Sequence, residues 1–292
     1  MEPGQASSTA EYMALFRALE SVRPLARRLV EDPLAVGFLR PWLRTVVALS
    51  RVPPIGRCIR GLIDRHWPGA RTSGIARTCF IDDIVRARLG TGIDQVVILG
   101  AGFDARPYRI PAMSKVVVFE VDHPATSAAK RAAIKAALGE SPAHVRFVSI
   151  DFNANSLSTT MQSAGYDPSR PTLVIWEGVT NYLTEAAVTE TLRWCATATR
   201  GSLVLFTYIH RRVLEAPDTF HGTEKLFATL NTSSERWTFG LDPARLSAFL
   251  VERGLLLDDD RGATEYRAKY YGPEANRMRG YEFYRIALAH VA

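Results

Sequence analysis

The chain has 292 residues, of which 47% are hydrophobic and 23% are charged, a composition typical of a globular protein with a sizeable core. No apolar run approaches the roughly 20 residues that span a bilayer, and basic residues do not alternate with aromatic ones as in nucleic-acid-binding modules. We therefore expect neither a membrane nor a nucleic acid among its partners. The net charge of +6, with arginines spread over the N-terminal third, is compatible with a solvated basic surface or with a positive rim that attracts an anionic substrate.

The three cysteines, Cys58, Cys79 and Cys195, are widely spaced and form no CxxC motif. This pattern indicates reduced thiols rather than a disulfide framework or a zinc site. The first residues, MEPGQASSTAEYM, lack the basic and apolar segments of a secretory signal. We expect a cytoplasmic protein without a bound metal.

The N-terminal part, residues 9–68, is helical in pattern but contains prolines at positions 24, 33, 41, 53 and 54. Because proline interrupts a helix, this pattern predicts several short helices. We expect residues 1–75 to form a helical cap on a core that comprises residues 76–292.

From residue 90 onward, strand-like apolar runs alternate with helical segments. Such alternation predicts an α/β fold with a doubly wound, mostly parallel sheet. The segment at about 209–240 is too long for a simple connection, so we expect it to form a lid. The predicted strands are Gln95–Gly100, Lys115–Val121, Val145–Asp151, Thr172–Trp176, Ser202–Thr207 and a last one within Tyr281–Val291. The clearest helices cover residues 124–139, 184–201 and 242–254, with Thr184 and Asp242 as N-caps of the last two.

A glycine turn follows the first strand, in the sequence QVVILGAGFDAR. Gly100, Gly102 and Ala105 satisfy the loose dinucleotide-binding fingerprint. However, the Asp104 carboxylate would repel a pyrophosphate, and Pro107 and Pro111 prevent a long phosphate-binding helix from starting cleanly here. S-adenosylmethionine carries no phosphate and has a cationic sulfonium and ammonium. The turn therefore favours S-adenosylmethionine, and an NAD-dependent oxidoreductase remains a remote alternative.

Acidic residues end the second, third and fourth predicted strands, which places them at one edge of a parallel sheet. Asp122 could accept hydrogen bonds from both ribose hydroxyls, or it could merely cap the next helix. Asp151, followed by Phe152, could bind and cover an adenine, or it could be a turn residue. Glu177 could lie near a methionine moiety, or it could pair with a structural arginine. Together the acids predict a binding site for a cofactor that carries a ribose.

The motifs LGAGFDARPYRI, FEVDHP, DF and PTLVIWEGVTNYL resemble those of the leucine carboxyl methyltransferase-like family, in the same order and spacing. That family includes bacterial polyketide and other natural-product O-methyltransferases. The resemblance continues in EDPLA, SGIARTCFIDD and RWTFGLDPARLSAFLVERG, and so covers nearly the whole chain. It implies a class I, Rossmann-like methyltransferase fold, with a seven-stranded sheet whose last strand is antiparallel, capped by N-terminal helices and a late insertion.

The resemblance also implies roles for single residues. Arg77 would pair with the carboxylate of the cofactor. The position of Tyr182 after the fourth predicted strand, apart from the resemblance, places it near the transferred methyl group as the catalytic residue, although it could equally be a packing residue. The sequence departs mildly from the commonest bacterial form at Phe103, Ala105 and Asn181. The predicted cofactor-binding residues are Arg77, Gly100, Ala101, Gly102, Asp104, Glu120, Asp122, His123, Asp151, Phe152, Glu177 and Gly178.

The function that follows is an S-adenosylmethionine-dependent O-methyltransferase that acts on a carboxylate of a small natural product or of a peptide C-terminus. A carboxylate is ionised at neutral pH, so it needs no general base. The alternative, methylation of a phenol or alcohol, requires a proton to be removed, and His210 and His221 in the predicted lid are the base candidates. A third alternative is a cofactor-binding module that no longer transfers methyl groups. The sequence leaves the oligomeric state open.

Overall fold

The computed structural model describes residues 8–150, 156–232 and 236–292. One seven-stranded sheet organises them, with strand order β3-β2-β1-β4-β5-β7-β6. Neighbouring strands from β1 to β5 pair in parallel, and β7 is antiparallel to both β5 and β6. The predicted α/β fold, with an antiparallel last strand, is confirmed. The strands are β1 Gln95–Leu99, β2 Val117–Asp122, β3 Val145–Ser149, β4 Thr172–Trp176, β5 Leu203–Ile209, β6 Leu255–Gly262 and β7 Tyr284–Val291.

The helices cover both faces of the sheet and build a cap at the N-terminal end of the chain. They are α1 Ser8–Ser21, α2 Pro41–Leu49, α3 Pro53–His66, α4 Ala70–Leu89, α5 Arg106–Arg109, α6 Pro124–Leu138, α7 Leu157–Ser163, α8 Glu185–Cys195, α9 Arg212–Glu215, α10 Thr223–Thr232, α11 Leu246–Val251 and α12 Ala263–Tyr271. Short 3-10 turns lie at Leu25–Arg27, Ala35–Phe38, Pro111–Lys115, Thr180–Tyr182, Pro217–Thr219, Pro243–Arg245 and Gly272–Arg277. None of the helices described is long and apolar enough to cross a membrane.

The central strand β1 shows why its sequence is apolar throughout. All five of its residues are buried, because helices cover both faces of a parallel sheet. Val97 and Leu99 join the core on one face, and Val96 and Ile98 join the core on the other. The two cores fix the strand, and with it the turn that follows Leu99.

Side chains cap three of the helix starts, and two of these caps, Thr184 and Asp242, were predicted. Asp122, weighed as a cap of α6, is not its N-cap, because His123 occupies that position. The side chain of His123 accepts a hydrogen bond from Ala125 N and that of Thr184 from Ala187 N. Asp242 accepts from Ala244 N, in a 3-10 turn that leads into α11. Helix α8 ends at Cys195, however, six residues before Gly201. The residues between them form turns that carry the chain to β5.

Strand β6 and helix α12 were not predicted from the pattern of apolar residues. Strand β6, LLLDDDRG, is buried only at its two ends and lies at the edge of the sheet. An edge strand faces water along one side, so it tolerates a run of aspartates. Strand β7 begins at Tyr284 rather than at Tyr281, whose φ of 62° is left-handed and incompatible with extended pairing.

The N-terminal residues form the expected series of short helices. Helix α1 packs against α4 and the turn Ala35–Phe38, with Leu15 and Leu19 in the cap cluster. The 20-residue helix α4 also packs against α12, and the boundary expected between residues 75 and 76 falls inside it. This helix therefore connects the cap to the sheet layer.

Candidate cofactor site

The turn after β1 lies against α1 and the segment that follows β4. Gly100 and Gly102 have φ values of 63° and 42°, in the left-handed region. A Cβ at Gly100 would collide with Val179 Cγ2, and one at Gly102 would lie 3.2 Å from Ala10 Cβ. Ala101 N donates to Val121 O at 3.0 Å, which ties the turn to β2. Glycine is thus needed at both positions for backbone conformation and for space.

Asp122, the last residue of β2, reaches back to the turn. Its carboxylate accepts hydrogen bonds from Gly102 N and from His123 N. Burial raises the pKa of this carboxyl, although both N–H groups act in the opposite direction. An ionised carboxylate has about four acceptor positions, so two remain for a ligand beside the turn. His123 itself caps α6 through Nδ1.

Glu120, two residues earlier on β2, forms a buried ion pair with Lys130 Nζ at 2.7 Å. Tyr108 donates its hydroxyl to the same carboxylate at 3.0 Å, and Lys130 Nζ donates to Ala101 O at 3.3 Å. Lys130 on α6 therefore joins the glycine turn to the acid of β2. Burial raises the pKa of Glu120, opposed by Lys130 and Tyr108.

Arg106 is the centre of a buried ionic network, which also includes Asp82, Asp104 and Glu177. Its Nε lies 2.8 Å from Asp82 Oδ1, and its Nη1 lies 2.6 Å from Asp104 Oδ2 and 2.8 Å from Glu177 Oε2. Arg109 also pairs with Asp82, at 2.5 Å. The network joins α4, the glycine turn and the end of β4.

Arg77 on α4 completes the network from the side of the cap. Its Nε donates to Glu177 Oε1 at 2.7 Å, and its guanidinium carbon lies 4.5 Å from the centre of the Tyr284 ring. Arg77 Nη2 also lies 3.6 Å from Met13 Sδ of α1. Glu177 thus pairs with arginines, as one of the two alternatives weighed for it expected. Its place near a methionine moiety stays a prediction.

Two carboxylates of the network are held in the ionised form. Burial alone would raise the pKa of Asp104, but Arg106 and Lys130 outweigh burial and lower this pKa to about 2. Burial would likewise raise the pKa of Glu177, yet Arg106 and Arg77 lower it below its ordinary value. Both groups are therefore weak bases at neutral pH.

The segment after β4 brings Gly178, Asn181 and Tyr182 to the site. Gly178, with a φ of 75°, donates its N–H to Thr207 Oγ1 at 2.8 Å. Buried Asn181 accepts Thr238 N at 2.8 Å through its backbone oxygen, which ties the end of the predicted lid to the site. Tyr182 is half-buried, with its hydroxyl 3.4 Å from Thr9 Oγ1 of α1. Helix α1 thus touches the glycine turn, Arg77 and Tyr182.

Comparison with known proteins identifies the protein family. The family model of leucine carboxyl methyltransferases matches residues 10–196. The chain belongs to the leucine carboxyl methyltransferase family. A Frankia alni protein classed among the S-adenosyl-L-methionine-dependent methyltransferases is 32% identical over 86% of this chain and 81% of its own length. A protein of Mycobacterium tuberculosis with the same classification is 37% identical over 60% of this chain and 50% of its own length.

Solved structures share the fold of this methyltransferase. A protein from Thermobifida fusca, classed as a methyltransferase, aligns with a TM-score of 0.61 at 15% identity, over 99% of this chain and 96% of that one. A DUF574 family protein from Streptomyces avermitilis aligns with a TM-score of 0.58 at 14% identity, over 98% of each chain. The predicted family, fold and S-adenosylmethionine cofactor are confirmed, and the NAD-dependent alternative is set aside.

The site of this methyltransferase fits its cofactor. Asp122 has backbone N–H partners and, within the described part of the chain, no ion pair, so its remaining acceptor positions suit a pair of ribose hydroxyls. Helix α5 has only four residues, which suits a ligand without phosphates. Asp104 is already neutralised by Arg106; its role as a partner of the sulfonium stays a prediction.

The candidates for adenine binding and for a general base are the remaining predicted residues. Asp151 and Phe152, predicted to bind the adenine, lie outside the described residues. His210 accepts a hydrogen bond from Arg212 N through Nδ1, a contact within the turn after β5. Across the described ranges, no group of three or more His, Cys, Asp or Glu side chains could hold a metal ion.

Four charged residues of the site were not predicted from the sequence: Asp82, Arg106, Arg109 and Lys130. Arg106 stands two residues after Asp104, a spacing that lets one side chain reach the other, and this was a usable signal. Asp82 and Lys130 gave no local signal, because each lies on a helix whose partners are distant in sequence. Only the packing of α4 and α6 on the sheet brings them to the turn.

Proposed function

We propose that this S-adenosylmethionine-dependent methyltransferase performs O-methyl transfer to a carboxylate of a small natural product or of a peptide C-terminus. One observation carries the proposal. The carboxylates beside the glycine turn are each paired with buried arginines: Asp104 with Arg106 at 2.6 Å, and Glu177 with Arg106 at 2.8 Å and Arg77 at 2.7 Å. These partners lower the pKa of both carboxyls. They are too weakly basic to deprotonate a phenol or an alcohol, whereas a carboxylate acceptor needs no deprotonation.

The bound cofactor would supply an electrophilic methyl group on its sulfonium. Asp122 would hold the ribose hydroxyls through its two remaining acceptor positions, and Arg77 would hold the cofactor's carboxylate with N–H groups beyond those that contact Glu177 and Met13. Both residues are pre-positioned, Asp122 by backbone N–H groups and Arg77 by an ion pair. Rate acceleration would then come mainly from proximity and alignment.

Helix α1 would shield the reacting groups from water. Ala10 lies on the glycine turn, Met13 on Arg77 and Thr9 beside Tyr182. Arg17 Nη2 donates to Phe103 O at 2.5 Å, and Arg17 Nε pairs with Asp32 at 2.8 Å, which fixes the helix over the turn. Tyr182 would line the acceptor side, where its hydroxyl lies 3.4 Å from Thr9 Oγ1 of α1.

Isotope-labelled S-adenosylmethionine tests the class of acceptor. Candidate carboxylic acids and matched phenols are incubated with the enzyme, and the products are treated with mild base. We expect a labelled product that base converts back to the acid with release of methanol, as for a methyl ester. The rate is expected to be nearly constant between about pH 6 and pH 9, since a carboxylate acceptor is ionised throughout this range. A base-stable product whose formation rate rises steeply above neutral pH would instead establish hydroxyl methylation.

Free cysteines support a reducing compartment as part of the proposal. Cys79 and Cys195 are buried, and Cys58 is exposed. Burial raises the pKa of the Cys79 thiol to about 12, so this thiol is protonated and inert at neutral pH. We propose the cytoplasm as the place where the enzyme acts.

A further inference from the structure

Helices α2 and α3 expose an apolar surface on the outside of the cap. The exposed fractions are 58% for Trp42 and 50% for Leu49 on α2, 47% for Val52 between the helices, and 39% for Ile55 and 63% for Leu62 on α3. Trp42 and Leu49 are seven residues apart, as are Ile55 and Leu62, so each pair lies along one side of its helix. We call these five residues, with the arginines of residues 40–66, the cap face.

The cap face carries most of the net charge of the protein. Residues 40–66 contain six arginines and a single acid, Asp64, whereas the whole chain has a net charge of +6. Asp64 is held by Arg71, which lies outside this segment, at 2.6 Å. Within the described part of the chain, Arg51, Arg57 and Arg65 form no ion pair. Arg40 pairs with Glu11 of α1. The face is therefore an apolar surface whose remaining arginines give it an excess of positive charge.

The pKa of Arg60 reflects the positive charges around it. Burial lowers the pKa of its guanidinium, and the nearby cations Arg23 and Arg71 lower it further, while Glu20 and Asp64 act in the opposite direction with smaller effect. Cations thus lie close to one another at this part of the cap. An anionic partner would relieve their repulsion.

The inner side of α2 is buried, and that of α3 is partly buried. Leu43 and Val47 of α2, with Ile59 and Ile63 of α3, pack in one cluster that also contains Phe103 of the glycine turn. Since both helices bury their other sides in this cluster, their exposed stripes belong to one outer layer of the cap. The cap face is thus the outer side of two helices whose inner side chains join the cluster that contains Phe103.

We propose that the cap face adsorbs to the surface of an anionic lipid bilayer, with Trp42, Leu49, Val52, Ile55 and Leu62 entering the interface and the arginines pairing with lipid phosphates. Tryptophan and aliphatic residues surrounded by arginine are the composition of interfacial helices, and anionic lipids attract basic residues near the surface. A second copy of the chain fits less well, because it would bring two positive faces together.

The inference revises the expectation that no membrane takes part. That expectation rested on the absence of a long apolar run, which a spanning helix requires. Adsorption requires only an apolar stripe of a few exposed residues with basic neighbours. The sequence could not show which apolar residues of the cap are exposed. The proposal stands independently of the acceptor chemistry, because its test measures binding rather than turnover.

Co-sedimentation of the full chain with vesicles tests the proposal. One set of vesicles contains phosphatidylcholine alone, and the other contains equal parts of phosphatidylcholine and phosphatidylglycerol. We expect binding to the anionic vesicles, little binding to the neutral ones, and loss of binding at high salt. Replacing Arg51, Arg57 and Arg65 by serine should lower the affinity about fivefold for each arginine removed.

A pair of matched double variants separates the cap face from general surface hydrophobicity. Trp42→Ser with Leu62→Ser should lower the affinity for anionic vesicles at least about tenfold, because large apolar side chains leave the interface. Leu138→Ser with Val251→Ser is the control, since these two residues are 46% and 55% exposed outside the cap face. All four positions are exposed, so both double variants should fold, as circular dichroism would verify.

Cys58 provides a second readout, because it is the exposed one of the three free cysteines and lies between Ile55 and Leu62 on α3. A polarity-sensitive fluorophore on Cys58 should shift to shorter wavelength when anionic vesicles are added. Absence of vesicle binding, equal loss of binding in the control double variant, or a dimer in solution that Trp42→Ser with Leu62→Ser dissociates would each overturn the proposal. The last result would assign the face to a second copy of the chain.

Discussion

Charged side chains are paired at the carboxyl edge of the sheet and mostly unpaired on the cap face. At the sheet edge, three acids face three arginines: Asp82, Asp104 and Glu177 against Arg77, Arg106 and Arg109. On the cap face, Arg40 pairs with Glu11 of α1, and within the described part of the chain the exposed Arg51, Arg57 and Arg65 form no ion pair. The two regions are close together, since the cluster beneath the cap face includes Phe103 of the glycine turn.

Burial explains the difference between these two regions. A charge removed from water is costly unless it is paired, whereas an exposed charge is solvated at little cost. Pairing at the sheet edge leaves Asp122 as an acid whose hydrogen bonds come from backbone N–H groups. The comparison suggests that charges of the sheet edge set stability and cofactor affinity, and that charges of the cap face act only on partners.

Removal of Arg106 should cause the largest loss of stability at the sheet edge. Arg106→Met leaves Asp82, Asp104 and Glu177 without their shared cation in a buried place. We expect a loss of about 3–5 kcal/mol in the free energy of unfolding, measured by urea denaturation. Arg106→Lys, which keeps the charge but loses the guanidinium fork, should lose less.

The matched control is Arg57→Ala on the cap face. Arg57 is exposed, so its removal should change the free energy of unfolding by no more than about 0.5 kcal/mol. Equal denaturation midpoints for Arg106→Met and Arg57→Ala would show that the buried network contributes nothing to stability.

Lys130 should show the next largest effect. Lys130→Met leaves Glu120 buried without its cation and frees the carbonyl of Ala101. We expect a loss of about 3 kcal/mol, at the lower end for broken buried pairs, because burial already raises the pKa of Glu120 and makes its neutralisation easier. Adding Glu120→Gln should restore part of the loss in a double-mutant cycle, measured by thermal or urea denaturation. Additive losses would contradict direct pairing.

Substitution of Asp122 should affect cofactor binding, in contrast to the substitutions of the buried network. Asp122→Ala should weaken S-adenosylmethionine binding by about 1–3 kcal/mol through loss of charge-assisted hydrogen bonds, as measured by calorimetric titration. Ser149→Ala is a nearby control, since Ser149 pairs with Asp122 in the sheet register but its change leaves the carboxylate in place. Unchanged affinity in a folded Asp122→Ala protein would refute the ribose assignment.

The sequence was sufficient for the framework of the fold. Continuous apolar runs such as Thr172–Trp176 predicted a buried parallel strand at the observed residues, and caps such as Thr184 marked helix starts. Both signals are local, because burial on two faces and helix capping act through adjacent residues. Strand β6 escaped because an edge strand is free of that constraint.

The candidate site was predictable where it depends on strand ends, and not where it depends on packing. Gly100, Asp122 and Glu177 lie at one edge because β1, β2 and β4 are parallel neighbours. The sequence could not reveal that Asp104 faces Arg106 rather than open solvent, or that Lys130 lies beneath the turn. Such contacts arise when separate elements pack, and a pattern of adjacent residues does not specify them.

Acidification tests the smallest of the effects. The folded-state pKa of Asp104 is lowered to about 2, below its ordinary value near 3.8, so its ionised form stabilises the fold above about pH 4 and this stabilisation disappears as the pH falls toward 2. The shift corresponds to roughly 2 kcal/mol. Asp104→Asn should therefore be less stable than the parent by about that amount at pH 6 and equally stable near pH 2, as urea denaturation across this range would show. A difference in stability that stays constant with pH would mean that the asparagine variant is destabilised by packing, and that the charge of Asp104 contributes nothing through Arg106.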